Sequence, residues 1–435
     1  HDGNFCMDGL VYPDRTVHTG LLEYKNVYRP ARVISYNKES GELVLHNYMD
    51  FDDLKDYVKI SYELAQDGLV ISKGILPEFS VAPHSEGKIN LKINVPESGK
   101  CYLKFIYHLK KELPLLDEDH ILGFDEIEVS KDGAKCKLAE KWLQKTAVDS
   151  ELQVNENDTQ IHIKGREFAY TIDKRTALFT EMKFAGREYL NHPMELNIWR
   201  APTDNDMYIK SEWKKAHYDK AYTRAYTTEV VQGKHGVKIT SHASVVAETV
   251  QKILDVTITW KIEAAGKIDA DIEVTKDDEF PDLPRFGVRM FLDKKLSAAR
   301  YFGMGPQESY CDKHQAASHG LYQANVDDLH EDYICPQENG SHYDCEYVEL
   351  NNSRYGIVVS AENAFSFNAS YYTQEELEKK THNYELTESD SVVFCVDYAL
   401  NGIGSNSCGP VVLDQYRFDD VLFRFQFTLI PYVKG

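Results

Sequence analysis

Two glutamates and a histidine in the second half of the chain, Glu308, Glu338 and His342, are residue types able to transfer protons. Proton-transfer catalysis needs a histidine acid and a glutamate base that converge on one substrate. The same side chains also occur in proteins as buried polar groups whose hydrogen bonds are satisfied internally. The structural interpretation of these three residues is favoured over the catalytic one.

Three further groupings carry weaker chemical information. The Gly402-x-Gly404 pair is not a dinucleotide-binding fingerprint, because no helical pattern follows it. The carboxylates of residues 117–119 form a solvated loop more readily than a metal site. The eight cysteines contain no CxxC pair and no His/Cys cluster at zinc spacing. A chain of this size needs no disulfides, so reduced thiols in a cytoplasmic setting are expected.

The composition limits the partners of the chain. With 435 residues it is too long for one ordinary core, which predicts two or three domains. An apolar fraction of 42% is that of a globular protein. The net charge of −21 repels phosphate backbones and anionic membranes, whereas it leaves a neutral sugar unaffected. No apolar run reaches the roughly 18 residues of a membrane span. Neither nucleic acid nor a membrane is therefore expected as a partner.

Apolar and polar residues alternate along much of the chain, as they do in strands that are buried on one face. Residues 89–95 and 423–429 show this pattern. Residues 256–262 and 268–274 show it on both sides of a short turn, which predicts a β-hairpin. Helical periodicity is scarce, so the chain is predicted to be all-β.

The spacing of these elements suggests how the chain is divided. Short strands in the first part lie at intervals typical of a β-sandwich, at residues 42–46, 57–64, 88–95 and 102–108. A polar stretch at residues 131–145 resembles a linker, and a long β-domain follows it. One short helix is predicted after Thr373, because Thr373 and Glu376 have capping-box spacing.

Four short blocks follow one another in the second half: RAPTDND at 200–206, GMGPQESY at 303–310, PQENG at 336–340 and GIGSNSCGP at 402–410. In this order the blocks resemble those of family 2 β-galactosidases. Residues 5–16 resemble the last strand and loop of that family's catalytic barrel, and residues 22–25 resemble the segment that leads out of it. The resemblance covers essentially the whole chain.

The resemblance implies four consecutive sections. Residues 1–20 correspond to the end of the catalytic TIM barrel and residues 21–130 to an immunoglobulin-like β-sandwich. Residues 131–150 correspond to a linker, and residues 151–435 to the small-chain domain, a galactose-mutarotase-like β super-sandwich. The family's version of this super-sandwich is non-catalytic, and a shared fold does not carry activity. An independent sugar epimerase is for that reason disfavoured.

The resemblance also implies an activity for the parent protein. Family members are retaining glycosidases that cleave terminal non-reducing β-D-galactosides such as lactose, with two glutamates about 5 Å apart as acid/base and nucleophile. Both glutamates lie on barrel strands that precede residue 1, so the chain alone is expected to be inactive and no catalytic residue is assigned to it. The expected partners are β-galactosides, the N-terminal part of the enzyme and further copies in a homo-oligomer. The alternative is a non-catalytic carbohydrate-binding module or the small subunit of a two-chain β-galactosidase.

Two residues near the start match a sodium site of the family. Phe5 matches a position whose backbone carbonyl binds sodium and whose ring gates the site, and Asp8 matches a sodium ligand that faces the sugar's 6-hydroxyl. Some members have Asn in place of Asp8, and a carboxylate there strengthens the binding of a hard cation. The bland alternative is that Asp8 caps a turn before Gly9. Sodium and magnesium are expected for the full-length enzyme, with only a partial sodium site in this chain.

Two later positions match the rim of the active site. Cys408 matches the place of a tryptophan that stacks on the aglycone sugar in some members, so weaker acceptor binding is expected; equally, Cys408 is a small buried hydrophobe. Asp204, Asn205 and Asp206 match a loop at the active-site mouth. Bonds from their side chains to the backbone of the turn are favoured over sugar contact. Tyr208 stands where some members have glycine, which disfavours a mobile loop.

Overall fold

The computed structural model describes residues 9–143 and 152–434, and strands dominate it. The first part contains α1 (Thr19–Val27), β1 (Ala31–Tyr36), β2 (Glu42–Asn47), α2 (Leu54–Tyr57), β3 (Val58–Gln66), β4 (Leu69–Ile75), β5 (Glu86–Asn90), β6 (Cys101–Leu109), β7 (Ile121–Glu128) and α3 (Glu140–Leu143). The strands form a three-stranded sheet in the order β1-β2-β5 and a four-stranded sheet in the order β4-β3-β6-β7. Leu45 of the first sheet and Phe105 of the second belong to one buried core. Two sheets that share a core in this way form a sandwich.

The second part is built almost entirely from antiparallel strands. Its elements are β8 (Gln153–Glu156), β9 (Gln160–Lys164), β10 (Phe168–Asp173), β11 (Leu178–Phe184), β12 (Arg187–Glu188), β13 (Leu190–Asn197), α4 (Ile209–Lys215), β14 (Tyr222–Gln232), β15 (Gly236–Val246), β16 (Leu254–Glu263), β17 (Ile268–Lys276), β18 (Arg285–Asp293), β19 (Ala298–Gly305), β20 (Ser318–Asn325), β21 (Ser341–Asn351), β22 (Tyr355–Ser370), α5 (Gln374–Lys379), β23 (Ser391–Leu400) and β24 (Leu422–Val433). The all-β prediction is confirmed.

These strands form two sheets around a second, larger core. A five-stranded sheet has the order β12-β11-β10-β9-β8. A twelve-stranded sheet has the main path β13-β18-β23-β22-β24-β17-β16-β15-β14, and β19 to β21 pair beside it. Phe179 of the small sheet meets Trp260 of the large sheet edge to face at 4.9 Å, so both sheets contribute aromatic rings to the core.

Several local predictions can be compared with these elements. The β16–β17 hairpin and the alternation in β24 are confirmed. The predicted helix after Thr373 is α5, and the Thr373 hydroxyl accepts a hydrogen bond from the Glu376 amide at 3.1 Å. The strand predicted at residues 88–95 is wrong beyond Asn90. Asn90 pairs with Glu42, the first residue of β2, so no neighbouring strand extends further.

Contacts between the two parts position the large sheet. Trp142 of α3 is buried and packs on Tyr432 with ring centroids 4.1 Å apart, although composition predicted a polar linker here. The Glu23 carboxylate of α1 accepts hydrogen bonds from the backbone amides of Gln315 and Ala316, both at 2.8 Å. These two residues lie in the segment just before β20. None of the helices within residues 9–143 and 152–434 has the length and apolar character needed to cross a bilayer.

Candidate functional site

The four sequence blocks, which are far apart along the chain, meet at one buried junction. Arg200 of the first block is fully buried and forms a two-point ion pair with Asp206, at 3.2 and 2.7 Å. Its guanidinium also donates to two backbone carbonyls, Asn401 at 2.5 Å and Gly402 at 3.1 Å. The Arg200 side chain therefore connects the first block to the fourth.

The loop that follows Arg200 is held in shape by the residues predicted for it. Asp204–Asp206 form a 3₁₀ turn, and the Asp206 carboxylate accepts a hydrogen bond from the Thr203 amide at 2.9 Å. The Asn205 side chain donates to the Gly404 carbonyl at 2.6 Å. The side chains of Asn205 and Asp206 thus bond to the backbone, as the favoured interpretation has it, whereas the Asp204 carboxylate bonds to another side chain, that of Gln337. Sugar contact by the loop is the less favoured interpretation and is not tested by these contacts.

The third block closes the junction from the other side. The side chain of Gln337 accepts from the Asp204 amide and donates to the Asp204 carboxylate, both at 3.1 Å. The next amide, that of Glu338, donates to the Ala201 carbonyl at 3.1 Å. These reciprocal bonds connect the loop between Ala201 and Asp206 to the third block.

Glu308 joins the second block to the third. Its buried carboxylate accepts hydrogen bonds from the Lys313 ammonium at 2.5 Å, from the Gly340 amide at 2.8 Å and from the Tyr333 hydroxyl. Burial by itself raises the pKa of Glu308, but the charge of Lys313 and these hydrogen bonds outweigh it and hold the pKa below its usual value. With the Thr19 hydroxyl, which donates at 3.3 Å, this ionised carboxylate has four donors and is a structural anchor.

Glu338 and His342 are also buried and engaged. Glu338 lies 3.3 Å from Arg285, which forms a closer pair with Asp397 at 2.7 Å, and burial raises the pKa of Glu338 against the charge of Arg285. His342 is in contact with the Tyr301 ring at 4.5 Å, and burial lowers its pKa to about 4. Neither side chain is open to a substrate, but Glu338 Oε1 and His342 Nε2 have no hydrogen-bond partner among the described residues, so the expectation that all their hydrogen bonds are satisfied internally is not met for these two atoms.

The remaining residues of the predicted site are Cys408, Phe5 and Asp8. Cys408 is exposed on a turn, so the alternative of a small buried hydrophobe is wrong. Phe5 and Asp8 lie outside the described residues, and their sodium site stays a prediction. In the parts of the chain that the structure describes, no three His, Cys, Asp or Glu side chains cluster in a way that holds a metal.

A cleft of about 620 Å³ opens beside the loop. Its lining includes Asn205, Tyr208, Asn406 of the fourth block and Val411, which follows that block directly. Tyr208 is 60% exposed at its mouth. The arrangement places a partly apolar concave surface between the first and fourth blocks.

Sequence reasoning missed two residues that shape this junction. The Asp312 carboxylate accepts hydrogen bonds from the amides of Ile403 at 2.9 Å and Gly404 at 2.7 Å. The Asn401 side chain accepts from the Phe418 amide at 2.9 Å. Both lie within two residues of a block, and that proximity is the one sequence feature that could have drawn attention to them.

Comparison with known proteins agrees with the block pattern. Residues 164–429 match the model of the β-galactosidase small chain, and residues 43–130 match that of β-galactosidase domain 4. A β-galactosidase from Actinobacillus pleuropneumoniae is 44% identical over 99% of this chain, and one from Staphylococcus xylosus is 32% identical over 99%. This chain spans 42% of the length of each of these relatives.

Solved structures add little to this. A galactose 1-epimerase from Lactobacillus acidophilus aligns with 66% of this chain and 100% of its own, at a TM-score of 0.36 and 9% identity. A likeness at this level says nothing about activity.

The small-chain model covers more than half of the residues, and the A. pleuropneumoniae relative is similar along nearly all of them. The chain therefore belongs to the β-galactosidase family, as part of a larger family member.

Proposed function

We propose that this chain is the C-terminal portion of a retaining β-galactosidase that hydrolyses terminal non-reducing β-D-galactosides such as lactose. The observation that carries the proposal is the convergence of all four family blocks on one buried junction beneath a cleft. In the proposed enzyme this junction fixes one wall of the active site. A wall that holds its position contributes to catalysis by orienting the substrate.

Bond cleavage is assigned in this proposal to an acid and a nucleophile in the part of the enzyme that precedes residue 1. Glu308 and Glu338 are buried and engaged by lysine and arginine, respectively, so they suit a supporting role. We also propose that the complete enzyme is a homo-oligomer and that it is located in the cytoplasm. The Arg200–Asp206, Lys313–Glu308 and Arg285–Glu338 pairs would then serve as scaffold in every copy.

Complementation tests this assignment. The chain is mixed with the N-terminal part of a family member that carries the barrel, and release of nitrophenol from 4-nitrophenyl β-D-galactoside is followed. Activity is expected from the mixture and from neither part alone. NMR of the first product should show β-galactose, the retained anomer. Hydrolysis by the chain alone contradicts the division of labour, and no recovery at any ratio contradicts the proposal as a whole.

Phe5 and Asp8 are further proposed to hold sodium in the complete enzyme. A carboxylate and a backbone carbonyl are oxygen donors of the type that hard cations prefer, so the donor set fits the ion. Replacing Asp8 by Asn removes one negative charge and is expected to raise the sodium concentration for half-maximal activity roughly tenfold, about 1.4 kcal/mol of binding. Titration of the complemented enzyme with NaCl at constant ionic strength measures this. Asp14→Asn serves as the control, and equal sodium requirements for both variants contradict the assignment.

A further inference from the structure

Helix α1 carries polar residues on its buried side and aromatic residues on its exposed side. Glu23 and Asn26 bond to the segment around Gln315 in the second part of the chain. Tyr24 and Tyr28 lie one turn apart on the opposite side of the helix, with ring centroids 4.4 Å apart, and are 47% and 69% exposed. A surface helix normally has the reverse arrangement, with its apolar stripe against the core. The two exposed rings therefore indicate a surface that a partner covers.

The exposed side of α1 continues into a groove of about 690 Å³ on the sandwich. Val27 and Tyr28 line this groove at the end of the helix, and Tyr48 and Phe51 line it from the loop that follows β2. Phe51 is 92% exposed. Together with Tyr24, whose ring touches that of Tyr28, these four residues form one continuous surface, which is called the aromatic face below.

The aromatic face is large for a surface that stays in water. At roughly 150–250 Å² per aromatic side chain, its four rings expose on the order of 500 Å². Monomeric proteins rarely expose continuous apolar patches beyond a few hundred Å², and larger patches mark sites of protein contact. Polar groups surround it, as they do the centre of a protein interface: the Arg32 guanidinium lies over the Tyr48 ring at 5.2 Å, and Asp50 pairs with His84 at 2.8 Å.

The part of the enzyme that is proposed to precede this chain is the partner nearest to the aromatic face. This chain spans 42% of the length of each of the two β-galactosidase relatives, so more than half of such a protein lies outside the matching region. Residues 5–16 resemble the last strand and loop of the catalytic barrel, and α1 begins three residues later, at Thr19. In a TIM barrel each strand is followed by a helix that packs on the outside of the barrel. Helix α1 stands in that place.

We infer that the aromatic face is the surface on which the catalytic barrel of the complete enzyme packs, with Tyr24 and Tyr28 against the barrel and Phe51 as a further anchor. The inference rests on the proposed function, which supplies the barrel, and adds the residues that hold it. The face shares no residue with the four blocks beside the cleft, so its role is to position the barrel and not to touch the substrate.

Binding measurements test this inference, with the N-terminal part of a family member as the probe, as in the complementation assay. Circular dichroism establishes that this part is folded, and biolayer interferometry measures its affinity for the immobilised 435-residue chain. Phe51→Ser and Tyr28→Ser are each expected to raise the dissociation constant about tenfold, because buried aromatic anchors dominate protein interfaces. The melting temperature of the chain alone is expected to stay the same, since both rings are mostly exposed there.

The matched control is Ile75→Ser, which also replaces an exposed apolar side chain by serine. Ile75 is 64% exposed on β4, at one edge of the four-stranded sheet, whereas α1 contacts β7 at the other edge. This variant is expected to bind the N-terminal part as the wild-type chain does.

Equal dissociation constants for the wild type, Phe51→Ser and Tyr28→Ser overturn the inference, as does a wild-type chain that does not bind the folded N-terminal part. Sedimentation velocity of the chain alone tests for a second copy as the partner. If the chain self-associates and Phe51→Ser makes it monomeric, the aromatic face belongs to that second copy and the inference is wrong. Binding that depends on Phe51 and Tyr28 without any galactoside hydrolysis supports the inference and contradicts the proposed function, and hydrolysis with unchanged binding of both variants does the reverse.

Discussion

Replacing Arg200 by Met is expected to lower the free energy of unfolding by about 3–5 kcal/mol, because it leaves the Asp206 carboxylate buried without a counter-charge. The pair is fully enclosed, with 0% and 3% of the two side chains exposed. Two backbone carbonyls, those of Asn401 and Gly402, also lose their donor. Urea denaturation of the chain at neutral pH measures the effect.

Two further variants show whether the missing counter-charge is the cause. The double variant Arg200→Met/Asp206→Leu removes both charges and is expected to recover a large part of the loss. Arg417→Met removes the Arg417–Asp282 pair, whose arginine is 40% exposed, and is expected to cost no more than about 1 kcal/mol. If the double variant is no more stable than Arg200→Met, the loss comes from the carbonyls and not from the ion pair.

Stability is also expected to fall by about 3 kcal/mol between pH 6 and pH 9.5 through one histidine between the two parts of the chain. His319 lies between Glu126 of β7 at 2.7 Å and Asp344 of β21 at 3.0 Å, and stacks on Tyr102 at 4.0 Å. Burial lowers its pKa, but hydrogen bonds and charge from the two carboxylates outweigh burial and raise the pKa to about 9.

The direction in which the free energy of unfolding changes with pH follows from the raised pKa of His319. The imidazolium is favoured by the folded state, so its contribution is complete below the unfolded value of 6.5 and is lost as pH rises towards about 9. His319→Gln does not titrate. The gap in unfolding free energy between wild type and this variant should therefore shrink by about 3 kcal/mol from pH 6 to pH 9.5.

The control for this measurement is His192→Gln. It removes a histidine–aspartate pair in which both side chains are at least half exposed, so an effect within about 1 kcal/mol is expected at either pH. A gap for His319→Gln that does not change with pH would mean that the ring holds the two parts together by packing on Tyr102 alone.

Local patterns were a good guide to strands, because burial on one face leaves a period of two in the sequence. The β16–β17 hairpin follows from such a pattern on both sides of a turn that contains Gly266, with a φ of 90°. The overextension of β5 has an equally local origin. Alternating burial continues past Asn90, but a strand also needs a partner, and β2 begins opposite Asn90.

The site was less predictable because its contacts are distant in sequence. The family blocks drew attention to Arg200 and Asp204. They did not reveal which residues these two bond to. Arg200 bonds to a carbonyl 201 residues away, and Asp204 to a side chain 133 residues away. No periodicity in one sequence specifies such pairings. The helix α1 was missed for a related reason, since its buried face is set by residues such as Gln315 that lie nearly 290 positions on.

Helix α1 also has a consequence for the order of assembly. Its first residue, Thr19, reaches the Glu308 carboxylate at 3.3 Å, and Tyr12 just before it reaches Glu331 at 2.5 Å. Loops of roughly 290 to 320 residues must close for these bonds to form, and contacts between such distant positions form slowly. Residues 12–19 therefore dock only after the residues they bond to have been made, so synthesis must pass Glu331 before these contacts can form.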